Sequence, residues 1–233
     1  MSNWRSWLIL TGLALVVFGI GRLAYIEYQQ PVAKVVVVGT LQYVNPIEIE
    51  DISNPIFAMN SFWGLSLDEL ADVVAELSWI ESATVQRRAN RTVYVYLSEQ
   101  RPIARWNEDA LLNRHGELFY HENRQLESFA SLPRLAGPAV LLDQLLTEYR
   151  VFNDTLRDEG VAIKALIAAE DGQRTIQLNN DVQVLFGTYN IDDKILRFAA
   201  LWNTLSNEQK SNVQRIDMRY DNAAAIAWHN SDR

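Results

Sequence analysis

Cysteine is absent from this chain of 233 residues, and histidine occurs only three times. Without cysteine the chain can form no disulfide, hold no metal through thiolates and use no thiol nucleophile. Basic residues are also scarce: 21 of them stand against 29 acidic residues, and the net charge is −8. Such a balance repels phosphate groups, so it argues against nucleic acid as the main partner and would also repel an anionic lipid surface.

Signatures of catalysis are missing too. No G-x-S-x-G, P-loop or G-x-G-x-x-G pattern occurs in the sequence. His115 and the pair His121-Glu122 are conceivable metal ligands, but they flank a predicted hairpin turn and a third ligand is not evident. Ordinary surface histidines are the favoured interpretation. We therefore expect no catalytic residue, no metal site, no cofactor and no enzymatic activity.

One long hydrophobic run is present near the N-terminus. Trp7 to Ile26 (WLILTGLALVVFGIGRLAYI) contains a single charge, Arg22, one turn from its end. Twenty helical residues extend about 30 Å, which matches the hydrocarbon core of a bilayer. The alternative is a cleaved signal peptide, but no A-x-A-like cleavage site precedes Arg22. The sequence therefore predicts a transmembrane helix over 7–26.

The expected topology follows from this helix. Residues 1–6 form a short cytoplasmic tail, and everything after Tyr28 lies outside the cytoplasm. The expected protein thus crosses the membrane once and has an extracytoplasmic bulk.

The segment 34–99 carries the pattern of a small mixed domain. Lys34 to Val38 is a short β-branched run that predicts a strand, and Pro46 begins a short helix that Pro55 interrupts. Ser66-x-x-Glu69 is a capping box. It starts a helix ending near Trp79, whose apolar face is Leu67, Leu70, Val74 and Leu77. A hairpin follows, Ala83 to Arg88 and Thr92 to Ser98, with Val93, Val95 and Leu97 on its buried face.

A domain boundary is predicted at Gln100-Arg101-Pro102, and 100–233 forms the second domain. Its pattern predicts an antiparallel sheet with two helices. The predicted helices are Leu141–Leu156 and Ile191–Leu205. The predicted strands are Ile103–Trp106, Leu111–Tyr120 (turning at His115-Gly116), Ile163–Ala169, Thr175–Leu178, Val182–Phe186, Gln214–Tyr220 and Ala223–Trp228. The fold class is therefore α+β.

Several stretches together resemble the FtsQ/DivIB family of bacterial cell division proteins. They are the single span, the strand–helix–helix–strand–strand unit, RPIARW at Arg101 to Trp106, QLNND at Gln177 to Asp181, and IDMRYDNAAAIAW at Ile216 to Trp228. The first unit is similar to a POTRA domain and the second to the family's β domain. The resemblance implies a scaffold of the bacterial inner membrane, at the division septum and with its bulk in the periplasm. Such a scaffold recruits FtsB and FtsL and helps control septal peptidoglycan synthesis.

The final strand is the candidate site. Ala223 to Ala227 is strand-forming by position, yet it has little side-chain bulk. Small side chains crowded beneath a helix explain this equally well on physical grounds. The alternative is an edge strand left open so that another chain can add to it. The family resemblance favours the open edge and implies an FtsB-binding site at Arg174, Arg219, Tyr220, Asn222, Ala224 and Trp228. For the two arginines the alternative is a solvated strand face.

Two other functions remain open from sequence. Another membrane-anchored periplasmic POTRA adaptor has the same architecture, although the remaining length and two helical patterns argue against a barrel. A membrane-anchored cell-wall enzyme needs an acid–base pair or nucleophile in a cleft, and none can be named.

Overall fold

The computed structural model of the chain describes residues 4–120, 126–157 and 160–229. It divides into two compact units, residues 1–100 and 101–233. The helices are α1 (Trp4–Tyr28), α2 (Pro46–Met59), α3 (Leu67–Ala75), α4 (Leu142–Leu156), α5 (Ile191–Thr204) and α6 (Asn207–Asn212). The strands are β1 (Lys34–Val38), β2 (Ile80–Arg88), β3 (Thr92–Glu99), β4 (Pro102–Trp106), β5 (Ala110–Asn113), β6 (Leu118–Tyr120), β7 (Arg134–Ala136), β8 (Ile163–Ala168), β9 (Arg174–Leu178), β10 (Gln183–Gly187), β11 (Val213–Asp217) and β12 (Ala225–Trp228).

Helix α1 exposes apolar side chains all around its surface. Its segment Trp7–Tyr28 is long and apolar enough to cross a membrane, and none of that window is buried against the rest of the chain. A helix that is hydrophobic on every face needs an apolar environment to cover it. The structure thus fits the expected transmembrane helix.

The first unit is a three-stranded sheet covered by two helices. The strand order is β1-β3-β2, with β1 parallel to β3 and β2 antiparallel to it. The Ser66 side chain caps α3 by accepting a hydrogen bond from the Glu69 N–H (3.2 Å). Leu70 and Val74 on α3 are fully buried, as are Val93 and Val95 on β3. The helical periodicity of apolar residues in α3 and their alternation in β3 therefore predicted these core residues correctly.

Helix α2 differs from the prediction. It continues through Pro55 to Met59, whereas the sequence was expected to break there. The side chain of Pro55 is exposed, as is Asp51, whose carbonyl loses its helical partner. Water can therefore satisfy that carbonyl, while Ile49 and Ser53 on the opposite face stay buried. Helix α3, in turn, ends at Ala75, one turn earlier than expected.

The second unit is built on a nine-stranded sheet. Its order is β12-β11-β10-β9-β8-β7-β4-β5-β6, so β12 and β6 are the edges. The sheet is mixed, because the pairs β4–β7, β7–β8 and β10–β11 are parallel. Parallel neighbours need a crossover connection, which α4 supplies between β7 and β8, and α5 with α6 between β10 and β11.

Both long helices of this unit pack on the sheet through aromatic residues. Phe152 of α4 and Phe198 of α5 have ring centroids 5.7 Å apart, and Phe186 of β10 packs edge-on against both. Trp202 extends the cluster, 5.7 Å from Phe198. Fully buried aromatic rings contribute large apolar areas, so this cluster fixes α5 firmly against β10. That position matters for the site described next.

Candidate partner-binding edge

Strand β12 ends the nine-stranded sheet, and among the described residues it pairs with β11 alone. It runs antiparallel to β11, with Asp217 opposite Ala225 and Ile216 opposite Ile226. The His229 N–H donates to the Asn212 carbonyl (2.8 Å), on the β11 side. Because successive N–H groups along a strand point in opposite directions, those of Trp228 and Ile226 point away from β11. Within the described residues, this outer row has no neighbouring strand.

The side chains around this edge are open to solvent. Tyr220 is 57% exposed and Trp228 is 40% exposed. Asn222 and Ala224 are also exposed, in the turn that precedes β12. Large exposed aromatic residues beside an unpaired strand edge are typical of a surface that another chain covers.

The alanines do not lie under a helix. Ala223, Ala224 and Ala225 are exposed, and Ala227 is half-buried, while Ile226 packs against the core. Crowding therefore does not explain the small side chains of the first three. Their small size leaves the backbone of the edge accessible.

Arg219 has an intramolecular partner. Its Nε donates to Asp217 Oδ1 (2.9 Å), its Nη2 donates to Asp217 Oδ2 (2.6 Å), and its side chain is 48% exposed. Asp217 also accepts from the Arg219 backbone N–H (3.0 Å). The side-chain hydrogen bonds from Arg219 are the main reason that the pKa of Asp217 lies below its ordinary value. At neutral pH the positive charge of Arg219 is therefore largely balanced.

Two cations of α5, neither identified from sequence, hold the segment before β12. Buried Lys194 donates to the carbonyls of Phe186 (3.1 Å) and Arg219 (3.3 Å). The Arg197 guanidinium donates to three carbonyls of the turn, those of Tyr220 (3.3 Å), Asp221 and Ala223 (3.3 Å). Because the aromatic cluster fixes α5, these bonds set where the turn and its tyrosine lie.

A signal for Lys194 was available in the sequence. It lies three residues after Ile191 and four before Phe198, both on the buried stripe of α5. A lysine in that register must find acceptors for its ammonium group. Arg197 is half-buried at the border of that stripe, where nothing in the sequence distinguishes it from a solvated arginine.

The structure places Arg174 away from the predicted partner-binding edge and argues against its assignment to that site. Arg174 lies in β9, three strands in from the edge, and its side chain is 3% exposed. Its Nε and Nη2 donate to Glu148 Oε2 (2.8 Å) and Oε1 (3.3 Å), and its Nη1 donates to the Gly172 carbonyl (2.7 Å). A buried guanidinium with an internal carboxylate is not free to bind an acidic residue of another chain. The other predicted residues stay predictions.

His115 and the pair His121-Glu122 were the candidate metal ligands in the sequence. In residues 4–120, 126–157 and 160–229, no group of three His, Asp or Glu side chains could hold a metal. His121 and Glu122 lie outside the described residues. Of the tryptophans, Trp79, Trp106 and Trp202 are buried, Trp4 and Trp7 lie on α1, and Trp63 and Trp228 are exposed elsewhere.

A helix long and apolar enough to span a membrane, followed by a β-α-α-β-β unit and a nine-stranded sheet, indicates a class, the proteins that carry a POTRA-like domain. The model for the POTRA domain of FtsQ type matches residues 30–100, and the model for the C-terminal region of cell division protein FtsQ/DivIB matches residues 104–219. The chain belongs to the FtsQ/DivIB family of cell division proteins.

Curated relatives extend over most of the chain. Cell division protein FtsQ of Vibrio cholerae is 28% identical across 87% of this chain and 76% of its own length. The FtsQ protein of Shewanella oneidensis is also 28% identical, across 97% of this chain and 87% of its own length. The FtsQ protein of Cellvibrio japonicus is 29% identical, across 86% of this chain and 61% of its own length.

Proposed function

We propose that this protein is a non-enzymatic scaffold of the bacterial division machinery, and that it binds a β-strand of FtsB along the free edge of β12. In this proposal the protein acts with FtsB and FtsL to help control septal peptidoglycan synthesis. The observation that carries the proposal is the unpaired outer edge of β12, with outward N–H groups between the exposed side chains of Tyr220 and Trp228. Strand addition derives affinity from the backbone and specificity from such flanking side chains.

Two further observations support this site. Lys194 and Arg197 hold the carbonyls of residues 219–223, so the turn is ordered before any partner arrives. Binding to an ordered surface avoids part of the entropic cost of association. Membership of the FtsQ/DivIB family supports a role in cell division, and no enzymatic domain is among the matched models.

The anchor and its orientation are part of the proposal. We place residues 1–6 in the cytoplasm, the span at 7–26, and two separately folding periplasmic domains at 34–99 and 100–233. Full-length chain should leave membranes only with detergent, and protease added from the periplasmic side should degrade everything after Tyr28. A freely soluble, processed form would contradict this topology.

Calorimetry with an FtsB segment tests the site. Tyr220→Ala should weaken binding by about 2 kcal/mol or more, about 30-fold, because central aromatic anchors carry much of the energy of an interface. Tyr120→Ala is a matched control, since Tyr120 is 54% exposed but lies in β6, at the opposite edge of the nine-stranded sheet. Circular dichroism confirms that each variant is folded. Equal binding by wild type and Tyr220→Ala would remove Tyr220 from the site.

A separate experiment tests the proposal that the protein is not a cell-wall enzyme. The full chain in detergent should release no fragments from purified peptidoglycan, whereas a cell-wall hydrolase run in parallel should do so. Release that depends on an acidic residue of this chain would favour the membrane-anchored enzyme instead.

A further inference from the structure

The charge of the first unit is strongly segregated. Between positions 30 and 100 the basic residues are Lys34, Arg87, Arg88 and Arg91, and the acidic residues are more than twice as numerous. Lys34 pairs in register with Thr92, so it lies at the same end of the sheet as the turn between β2 and β3. These four basic residues are therefore at one end of the sheet, although the chain as a whole is acidic.

This basic end is also the end nearest the apolar helix. The Ala33 N–H donates to the Arg91 carbonyl (2.9 Å), and the Phe62 N–H donates to the Gln30 carbonyl (2.8 Å). Arg91 Nη1 donates to Gln30 Oε1 (2.8 Å). Gln30 lies two residues after the last residue of α1, and two residues of extended chain reach about 7 Å. The basic end thus lies within the depth of a headgroup layer, which extends several ångströms beyond the hydrocarbon core.

The side chains at this end present charge and one large aromatic ring. Trp63 is 52% exposed, and Arg88 is exposed at the end of β2. Trp63 lines an open groove together with Arg87, Arg88 and Arg91, and Glu27 of α1 is the one acidic residue among the described residues that line it. Arg87 is committed to the fold, because it donates to the carbonyls of Phe62 (2.9 Å), Trp63 (3.3 Å) and Leu65. In the described part of the chain, none of the four basic residues has a carboxylate partner.

We propose that this basic end, defined by Lys34, Arg88, Arg91 and Trp63, docks on the anionic phospholipid headgroups of the membrane that holds α1. Clustered basic side chains next to a span bind anionic lipid surfaces, and tryptophan prefers the interfacial layer. The acidic net charge of the chain is no obstacle, since screening limits each charge to a distance of about 8–10 Å at physiological salt. Docking holds the first unit close to the bilayer and so limits its orientations.

The inference rests on the proposed span but not on the partner edge. A chain without a span would fail to enter lipid nanodiscs at all, whereas a chain without docking would enter them and keep its basic end in solution. Binding of FtsB, measured on the same preparations, is independent of either result.

The absence of cysteine makes a direct test simple. Ala89→Cys places one fluorescent label on the exposed turn, and Ser82→Cys places it on the exposed start of the same strand. The two positions are about 20 Å apart along β2. Full-length protein is reconstituted in nanodiscs of phosphatidylcholine with or without 30 mol% phosphatidylglycerol. Headgroup-labelled nitroxide lipid then quenches whichever label is at the surface.

With phosphatidylglycerol and low salt, the label at 89 should be quenched at least threefold more than the label at 82. The difference should disappear in 0.5 M salt and in the double variant Lys34→Glu, Arg88→Glu, but not in the charge control Arg157→Glu. Arg88→Gln alone should halve the difference in quenching between the two labels. This single variant keeps the test decisive if the double variant misfolds. Equal quenching of the labels at 82 and 89 would overturn the proposal. So would quenching at 89 that stays the same without phosphatidylglycerol, in 0.5 M salt, in the double variant and in Arg88→Gln.

Discussion

The buried ion pair of Arg174 and Glu148 should stabilise the second unit only when both partners are present. Their side chains are 3% and 5% exposed, and the pair is bidentate, with Gln144 Nε2 as a further donor to Glu148 (2.8 Å). We compare Arg174→Met, Glu148→Leu and the double variant. Each single change leaves one ionised group in an apolar interior without its counter-charge.

The expected magnitudes follow from desolvation. Removing one partner of a buried pair costs about 3–5 kcal/mol, whereas replacing both by apolar residues of similar volume is often neutral or stabilising by about 1–4 kcal/mol. We therefore expect each single variant to lose about 3–5 kcal/mol of unfolding free energy. The double variant should recover most of that loss, and the coupling should reach at least about 3 kcal/mol.

Hydrogen exchange measured by mass spectrometry suits a chain of two units, because it reports each unit separately. Peptides from β8, β9 and β10 should lose about two to three and a half orders of magnitude of protection in the single variants. Peptides from β2 and β3 should be unchanged. If Arg174→Met kept its protection and lost FtsB binding instead, Arg174 would face the partner and the buried pair would be wrong.

Three other predictions concern separate parts of the chain. Leu70→Ala should destabilise the first unit by about 2–5 kcal/mol, since Leu70 is fully buried, and the half-buried Leu67→Ala should cost clearly less in the same urea titration. Arg197→Ala should leave the second unit folded by circular dichroism, yet weaken FtsB binding at least fivefold in calorimetry, because the turn loses its hydrogen bonds; unchanged affinity would contradict the positioning role. Asp217→Asn should speed association with an acidic segment and make it more salt-sensitive in stopped-flow measurements, because Arg219 is released. The Asp217–Arg219 pair stabilises the folded unit at pH values above the ordinary aspartate pKa, and this stabilisation is lost as the pH falls through the lowered pKa of Asp217. An unfolding free energy from this pair that does not change over that fall in pH would refute the argument.

Local patterns in the sequence predicted the first unit well. Val93, Val95 and Leu97 alternate with polar or aromatic neighbours, and Ser66 has the side chain that a helix start requires, so both signals lie within a few residues. The continuation of α2 through Pro55 was missed because it depends on which face the proline occupies. That face is decided by packing elsewhere in the unit.

In the second unit, the features that the sequence did not predict have a common cause. Strand β7 has three residues, Arg134 to Ala136, too few for any period to show. Arg174 and its partner Glu148 are 26 residues apart, so no local pattern distinguishes a buried arginine from a solvated one. The position of β12 at the sheet edge depends likewise on strand order, which the alternation of side chains does not determine.

The central claim is that the outer N–H row of β12 pairs with a strand of FtsB. The proposal continues this row to Ala224, one residue before β12. Ala224→Pro deletes the N–H at that exposed position, whereas Ala224→Val keeps it and adds bulk. Calorimetry on the full-length chain in detergent with an FtsB segment should show at least a tenfold loss for the proline variant and a loss below threefold for the valine variant. Both variants should keep the wild-type circular dichroism spectrum. A folded Ala224→Pro variant that binds FtsB with wild-type affinity would contradict strand addition at this edge.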